Sequence, residues 1–380
     1  MAMTTATPEA TSVLTDIRCE NVGSLLRPPD LLEARRRHDA GKLDHAAFKR
    51  IEDRAVNDAI ALQEELGLDV VSDGEMRRRG WMTHFFESVS GLRPVEGVGS
   101  MPWRDEDGRE LPEELKRSGR PVAVERLGWR HSACSEEWTY LRGHTERPAK
   151  VTLISAEMAA AMYDPERSAA AYPTREAYFD DIVALLRREV EEVVRLGCTY
   201  VQLDAPQYGA LLDPENRESF RRRGHDPDRM IDAGIEMDNA IIAGFDGITF
   251  GLHICRGNNQ SRYYAEGDYS PVTRLFERAA FDRFLLEYDD ERSGGFEPLA
   301  HVPEDTTVVL GLVTTKKPDM EDAGELRARI EDAARYVPLE RLALSPQCGF
   351  ASMMEGNDIT PEQQRAKLEL VRDVARSVWG

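Results

Sequence analysis

The sequence predicts an α/β protein of the (β/α)8 barrel class, also called the TIM barrel. Short runs rich in Val, Ile and Leu recur eight times, and several end in a polar or glycine-containing cluster. Continuous apolar runs of this kind are typical of parallel strands that are covered on both faces. Helical patterns lie between most of them, and this alternation favours a barrel. An open, doubly wound sheet is the alternative, although no G-x-G-x-x-G motif follows the first run, which weakens a dinucleotide-binding interpretation.

Each predicted strand is a short apolar run, and the clearest predicted helix is Glu176–Leu196. Its apolar residues recur at helical spacing, and Gly197 follows as a stop. Leu31–Leu66 should hold two helices. Asp319–Tyr336 and Thr360–Trp379 have the same helical spacing of apolar residues as Glu176–Leu196. In Thr360–Trp379 a proline follows Thr360 at the first helical position. The predicted strands are Arg18–Ser24, Asp69–Glu75, Val151–Ser155, Tyr200–Pro206, Gly247–Cys255, Phe284–Asp290, Thr306–Thr314 and Arg341–Cys348.

The domain organisation that we expect is one catalytic barrel over residues 16–380, preceded by a flexible tail at residues 1–15. Segment Met76–Lys150 is too long for a barrel loop and is rich in Arg, Glu, Gly and Trp. We interpret it as an insertion after the second strand that covers the mouth of the barrel. Gln207–Asp246, between the fourth and fifth predicted strands, is a second long connecting segment and is partly helical.

Composition excludes several classes of partner. The formal net charge is −20, which argues against nucleic acid and against an anionic membrane surface. No apolar run approaches the ~20 residues that span a bilayer, and the first ten residues lack the basic and apolar stretches of a secretory signal. The five cysteines are an odd, sparse set that does not resemble a disulfide framework. We therefore expect a cytoplasmic protein with reduced thiols.

Four residues at predicted strand ends form a candidate zinc site. His253 and Cys255 lie on one face of a strand, because side chains alternate with a period of two. Glu287 falls late in the sixth predicted strand, and Cys348 ends the eighth. Two thiolates, an imidazole and a carboxylate are a plausible four-ligand zinc set. A core histidine beside buried thiols is the alternative, and a non-catalytic zinc-binding barrel is another, although it would not need acids at the other strand ends.

Acidic and small residues at other strand ends are candidates for substrate binding. Asp73 and Glu75 flank a glycine, and Asp204 ends the fourth predicted strand. Carboxylates there could hold the ammonium group of an amino-acid substrate, or could simply cap helices. Gly23 and Ser24 offer backbone N–H groups and a hydroxyl that suit a carboxylate or a sulfonate, unless they form a plain turn.

Long stretches of the chain resemble the cobalamin-independent methionine synthase family. The likeness is to the catalytic C-terminal barrel and to the short single-barrel bacterial relatives called methionine synthase II. It covers nearly the whole chain. The runs that carry it are VGSLLRP (Val22–Pro28), HICRGNN (His253–Asn259), LEYDDERSGGFEPL (Leu286–Leu299), LGLVTTK (Leu310–Lys316) and LALSPQCGFAS (Leu342–Ser352).

The resemblance implies a reaction, methyl transfer from polyglutamylated 5-methyltetrahydrofolate to the zinc-bound thiolate of homocysteine. It implies that Ser24 binds the substrate carboxylate and that Glu75 and Asp204 bind its amino group. The full-length enzyme has a histidine after strand seven that is thought to protonate the departing folate. Here Thr314–Pro318 contains none, and Lys316 or Lys317 could donate the proton instead.

A second member of the same superfamily is the main alternative. Epoxyalkane:coenzyme M transferase is a single-barrel zinc enzyme that opens an epoxide with the thiolate of 2-mercaptoethanesulfonate, and lysines near the site would suit that sulfonate. A barrel of the uroporphyrinogen decarboxylase type needs no metal, so the ligand set argues against it. The sequence therefore predicts a zinc-dependent thiol alkyltransferase whose partner is a small thiol, homocysteine or coenzyme M.

Overall fold

A parallel sheet forms the centre of this mixed α/β protein. The computed structural model describes residues 16–95, 101–110 and 120–380. Six parallel strands follow one another in chain order, β3-β4-β5-β6-β7-β8, and a separate antiparallel pair, β1-β2, lies outside them. The strands are β1 (Val89–Val95), β2 (Arg120–Trp129), β3 (Val151–Ile154), β4 (Tyr200–Asp204), β5 (Thr249–Ile254), β6 (Arg283–Glu287), β7 (Thr307–Val313) and β8 (Leu342–Pro346). Six of the eight predicted strands are thereby confirmed.

The first two predicted strands are wrong as regular strands. Arg18–Ser24 and Asp69–Glu75 make only isolated parallel bridges, which pair Cys19 with Leu344, Glu20 with Val70, and Val71 with Ala149. One physical reason is visible at Asp69, whose Oδ2 accepts the backbone N–H groups of Arg18 at 2.7 Å and Cys19 at 2.9 Å. A side chain thus replaces part of the backbone ladder.

The predicted helices are confirmed, with caps that explain their ends. The helix His45–Leu66 is followed by Gly67, which adopts φ +72° and ends it. The Thr360 side chain and Gln363 form a capping box at the start of the helix Pro361–Trp379. The predicted Asp319–Tyr336 helix begins later, because Asp322 caps it. The helices are α1 (Pro29–Asp39), α2 (His45–Leu66), α3 (Thr83–Ser88), α4 (Ser135–Arg142), α5 (Ala156–Ala160), α6 (Arg175–Arg195), α7 (Pro206–Ala210), α8 (Pro214–Arg222), α9 (Pro227–Ile242), α10 (Thr273–Arg278), α11 (Ala323–Ala333) and α12 (Pro361–Trp379).

Residues 76–150 contain secondary structure of their own, namely α3, the β1-β2 pair and α4. Isolated antiparallel bridges join Gly80 to Met353, in the loop after β8, and Arg104 to Tyr263, in the loop after β5. This segment therefore contacts loops that follow the carboxyl ends of parallel strands, which is the end of a parallel sheet where active sites form.

The sheet interior contains charged side chains as well as apolar ones. Lys150 donates to Glu20 and, at 2.8 Å, to Gln202 Oε1, and Arg283 donates to Glu20 Oε1 at 3.0 Å. All four side chains are fully or almost fully buried. The burial of these charges is tolerated because Lys150 and Arg283 both form ion pairs with Glu20. None of the described helices is both long and apolar enough to cross a membrane.

Candidate active site

Three of the four predicted zinc ligands converge at the carboxyl ends of the strands. His253 is in β5, Cys255 follows that strand directly, and Cys348 lies two residues beyond β8. One ligand atom from each, the imidazole nitrogen and the two Sγ atoms, lies within 4.8 Å of the others. All three residues are buried. Interaction with Cys255, and then with His253, lowers the pKa of the Cys348 thiol well below its usual value.

The histidine is oriented as a metal ligand would be. His253 Nδ1 lies 3.1 Å from the Leu285 carbonyl oxygen, which requires Nδ1 to carry the proton. In the neutral ring Nε2 is therefore the acceptor nitrogen, and it is buried without a hydrogen-bond partner in the described part of the chain. An orphaned nitrogen beside two sulfurs fits zinc, which prefers N and S ligands.

Glu287, the fourth predicted ligand, lies outside this cluster. It ends β6 and is fully buried. Its Oε1 accepts from Lys316 Nζ at 3.0 Å, and its Oε2 accepts from the backbone N–H of Arg256 at 2.6 Å. Lys316 Nζ also lies 3.5 Å from Asp289 Oδ2. Both oxygens of Glu287 are thus engaged by the protein.

Lys316 is a constrained cation. Burial lowers the pKa of Lys316, but Asp289 and then Glu287 more than compensate, and the net shift is upward. The side chain is 4% exposed. To act as the predicted proton donor, Lys316 would have to lose its charge between two carboxylates, which the raised pKa opposes.

The Asp73-Gly74-Glu75 turn presents unpartnered carboxylate oxygens. Gly74 and Glu75 both have positive φ, +67° and +57°, and Asp73 Oδ1 accepts the Glu75 N–H at 2.9 Å. A positive φ is uncommon and strained outside glycine. Asp73 Oδ2 and Glu75 Oε2 are buried and lack hydrogen-bond partners among the residues that the structure describes. Burial raises the pKa of Glu75 to about 7 although Arg78 opposes the shift.

Gly23 and Ser24 pack directly on this turn and on the Cys348 loop. A Cβ at Gly23 would lie 2.8 Å from Glu75 Oε1, so a larger residue there would force the Glu75 carboxylate to move. Ser24 Oγ accepts the Ala351 N–H at 3.2 Å, and the Ser24 carbonyl accepts the Phe350 N–H at 2.7 Å. The hydroxyl proton of Ser24 is therefore available to donate.

Asp204 completes the group of acids. It is the last residue of β4 and pairs in register with His253 of β5. Its Oδ1 accepts from Gln202 Nε2 at 2.7 Å. Burial raises the pKa of Asp204, although His253 opposes the shift. An acceptor for a cationic substrate group thus lies beside the candidate metal ligands.

Sequence reasoning missed the residues that hold Glu75 in place. Thr152 Oγ1 donates to Glu75 Oε1 at 3.0 Å, and Arg78 Nη1 lies 3.4 Å from the same oxygen. Arg27 donates to the carbonyl oxygens of Glu75, at 3.0 Å, and Ala351, at 2.8 Å, which joins the acidic turn to the Cys348 loop. Arg27 could have been predicted as a site residue because it lies within the VGSLLRP run, which carries the family resemblance.

Comparisons with known proteins show what the whole chain is similar to. Residues 18–107 and 168–377 match the family described as "Cobalamin-independent synthase, Catalytic domain". The uncharacterized protein YxjH of Bacillus subtilis is 34% identical over 95% of this chain and 94% of its own length. A methionine synthase of Pyrococcus horikoshii is 24% identical over 87% and 85%.

A solved structure extends the likeness to three dimensions. A protein of Listeria monocytogenes assigned to the vitamin-B12-independent methionine synthases superposes with a TM-score of 0.71, at 26% identity over 95% of this chain and 97% of that one. The sequence match extends over most of the chain and includes the strand ends that carry His253, Cys255, Glu287 and Cys348. The chain belongs to the cobalamin-independent synthase catalytic-domain family.

Proposed function

We propose that this protein is a zinc-dependent methyltransferase that methylates the thiol of homocysteine to give methionine. The observation that carries the proposal is the buried cluster of His253, Cys255 and Cys348, with an unpartnered His253 Nε2. These three residues would hold the metal, with Glu287 at the end of β6 as the proposed fourth ligand. A zinc ion bound there lowers the pKa of a thiol, so that the substrate can react as a thiolate near neutral pH.

The acidic turn supports an amino-acid thiol as the substrate. Glu75 and Asp204 would accept hydrogen bonds from the substrate ammonium group, and the unpartnered oxygen of Asp73 adds negative charge beside them. The Ser24 hydroxyl and the backbone at Gly23 would bind the substrate carboxylate. Asp73 Oδ2 and Glu75 Oε2 are buried without hydrogen-bond partners among the described residues, which is costly, and an incoming ammonium group would offset that cost.

The same charges disfavour the alternative thiol. Coenzyme M carries a sulfonate, which buried carboxylates at the acidic turn would repel. Lys316, the cation that could have attracted a sulfonate, is paired with Glu287 and Asp289. An epoxyalkane:coenzyme M transferase is therefore the less favoured function. We propose 5-methyltetrahydrofolate as the methyl donor, on the strength of the family.

We also propose that the sheet closes into a (β/α)8 barrel. The bridges from Leu344 to Cys19, from Glu20 to Val70 and from Val71 to Ala149 support closure, because they lead from β8 back to the residues that precede β3. The contacts of residues 76–150 with the loops after β5 and β8 support a position over the barrel mouth. A closed mouth would exclude water from the reacting thiolate.

A thiol-consumption assay on the zinc-loaded protein tests the proposed function. Homocysteine and coenzyme M are offered separately, each with 5-methyltetrahydrofolate and with epoxypropane, and the products are identified by mass spectrometry. We expect methionine only from homocysteine and the methyl donor. Coenzyme M consumed only with the epoxide would establish the alternative. No turnover in any arm by protein that retains zinc would favour a non-catalytic zinc-binding barrel or other substrates.

A further inference from the structure

Arg78 joins the acidic turn to helix α4 of the segment 76–150. Its Nε donates to Glu137 Oε1 at 3.0 Å, and its Nη2 donates to Glu137 Oε2 at 2.6 Å. Its Nη1 donates to Thr152 Oγ1 at 2.8 Å and lies 3.4 Å from Glu75 Oε1. The side chains of Arg78, Glu75 and Glu137 are at most 7% exposed. One buried guanidinium therefore lies between two carboxylates, and its shorter, bidentate contact is with Glu137.

The surroundings of Arg78 hold it in this position. Nη1 also donates to the Trp81 carbonyl at 3.2 Å, and Nη2 donates to the Thr152 carbonyl at 3.0 Å. A cavity of about 10 Å³ lined by Glu75, Arg78 and Glu137 has room for no more than about one water molecule. Water therefore screens these charges only weakly, so each carboxylate feels the guanidinium according to its distance from it.

The charged neighbours of Glu75 act in both directions. Burial raises the pKa of Glu75 to about 7, and Arg78 is the neighbour that opposes this shift most. The remaining charged neighbours are Asp204, which raises the pKa, Arg27, which lowers it, and Asp73, which raises it. The charge state of Glu75 therefore depends on how much of the Arg78 charge is taken by Glu137.

We propose that Glu137 is a positioning residue for the ammonium site: it holds the guanidinium of Arg78 and so leaves Glu75 negatively charged, with one oxygen open to the substrate amino group. That oxygen, Glu75 Oε2, has no hydrogen-bond partner among the described residues. The inference rests on the proposed function in requiring an amino-acid ligand at Glu75. It gives α4, and with it the segment 76–150, a part in substrate binding.

The pH dependence of methionine binding tests this inference. Affinity is measured by calorimetry on the zinc-loaded protein between pH 5 and 8, for the wild type, Glu137→Gln and Arg78→Gln. The amide of Glu137→Gln keeps the shape of the side chain and can still accept from Arg78, so the change removes chiefly the charge. The matched control is Glu136→Gln, because Glu136 precedes Glu137 on the same helix but is 68% exposed and pairs with Lys49.

The two variants should move the profile in opposite directions. In Glu137→Gln the whole charge of Arg78 acts on Glu75, so the pH at which affinity falls should drop by about one unit or more. Affinity at pH 8 should also fall at least about tenfold, because Arg78 then competes with the ammonium group. In Arg78→Gln the profile should move to higher pH, since Glu75 loses a neighbouring cation. Glu136→Gln should follow the wild type.

Shifts of opposite sign cannot come from general damage to the fold, which would lower affinity at every pH. An unchanged profile in Glu137→Gln, or a profile that moves to lower pH in Arg78→Gln, would overturn the inference. Either variant tests it alone if the other does not fold. Wild-type protein that binds no methionine at any pH would overturn the proposed function as well, so the two failures are distinguishable.

Discussion

Asp204 and His253 are register partners at the carboxyl ends of β4 and β5, and the Ala205 N–H donates to the His253 carbonyl at 2.8 Å. Paired residues on neighbouring parallel strands present their side chains to the same face of the sheet. The sheet itself therefore fixes the separation between an acid that could bind an ammonium group and a ligand that could bind a metal. A substrate that bridges the two must carry its thiol and its amino group a few bonds apart, as homocysteine does.

Removal of one sulfur should abolish metal binding. Cys348→Ser leaves His253 and Cys255 without the third member of the cluster, and we expect the purified variant to lose most of its zinc by elemental analysis. Cys198→Ala is the matched control, since Cys198 is also buried but its thiol contacts the Tyr200 carbonyl at 3.2 Å. Full zinc occupancy in Cys348→Ser would contradict the assignment of Cys348 as a ligand.

Glu75→Gln should weaken binding of methionine, the proposed product, and leave the zinc content unchanged. Methionine has no thiol to titrate, so calorimetry of its binding reports the amino-group contacts. Because burial raises the pKa of Glu75 to about 7, the wild-type carboxylate is protonated as the pH falls below 7, and affinity should fall by up to about tenfold per unit. The variant should show a shallower pH profile. An identical profile in both proteins would remove Glu75 from the site.

Gly23→Ala should impair substrate binding through Glu75. The added methyl group would lie 2.8 Å from Glu75 Oε1, so the carboxylate must move, and we expect at least about a tenfold loss of methionine affinity, roughly one lost charge-assisted hydrogen bond. Gly143→Ala is the control, because its nearest neighbour, the Thr139 carbonyl, is 3.4 Å from the added carbon. Unchanged affinity in Gly23→Ala would show that the contact is not critical.

Asp238→Asn should flatten the pH dependence of stability. Asp238 is fully buried, accepts from Tyr208 Oη at 2.9 Å, and burial raises its pKa to about 7 despite that bond. Its contribution is fully present below the unfolded pKa near 3.8 and is lost as the pH rises through 7.

Urea unfolding between pH 5 and 8 measures this effect. The wild type should lose on the order of 2 kcal/mol more than Asp238→Asn across that range, because the amide cannot ionise. Glu236→Gln, an exposed change on the same helix, should behave like the wild type. Parallel pH profiles for the wild type and Asp238→Asn would show that Asp238 does not carry the pH dependence.

Local patterns were sufficient for much of the fold. The apolar runs predicted six strands because a buried parallel strand needs little except continuous apolar residues. Thr360, Pro361 and Gln363 predicted the start of α12, since helix caps depend on neighbours in sequence. Arg18–Ser24 failed as a regular strand in part because the N–H groups of Arg18 and Cys19 bond to the side chain of Asp69, fifty or more residues away.

The features of the candidate site also fall into those that the sequence predicts and those that depend on the tertiary structure. By itself the sequence placed His253 and Cys255, two residues apart, at the carboxyl end of one strand and Asp204 and Cys348 at the ends of two others, because apolar runs and strand alternation are local properties. Only the tertiary structure decided that Cys348 joins the pair, that Lys316 and Arg256 occupy both oxygens of Glu287, and that Thr152 and Arg78 hold Glu75. Periodicity fixes the direction of a side chain, whereas its partners depend on packing between segments far apart in the chain.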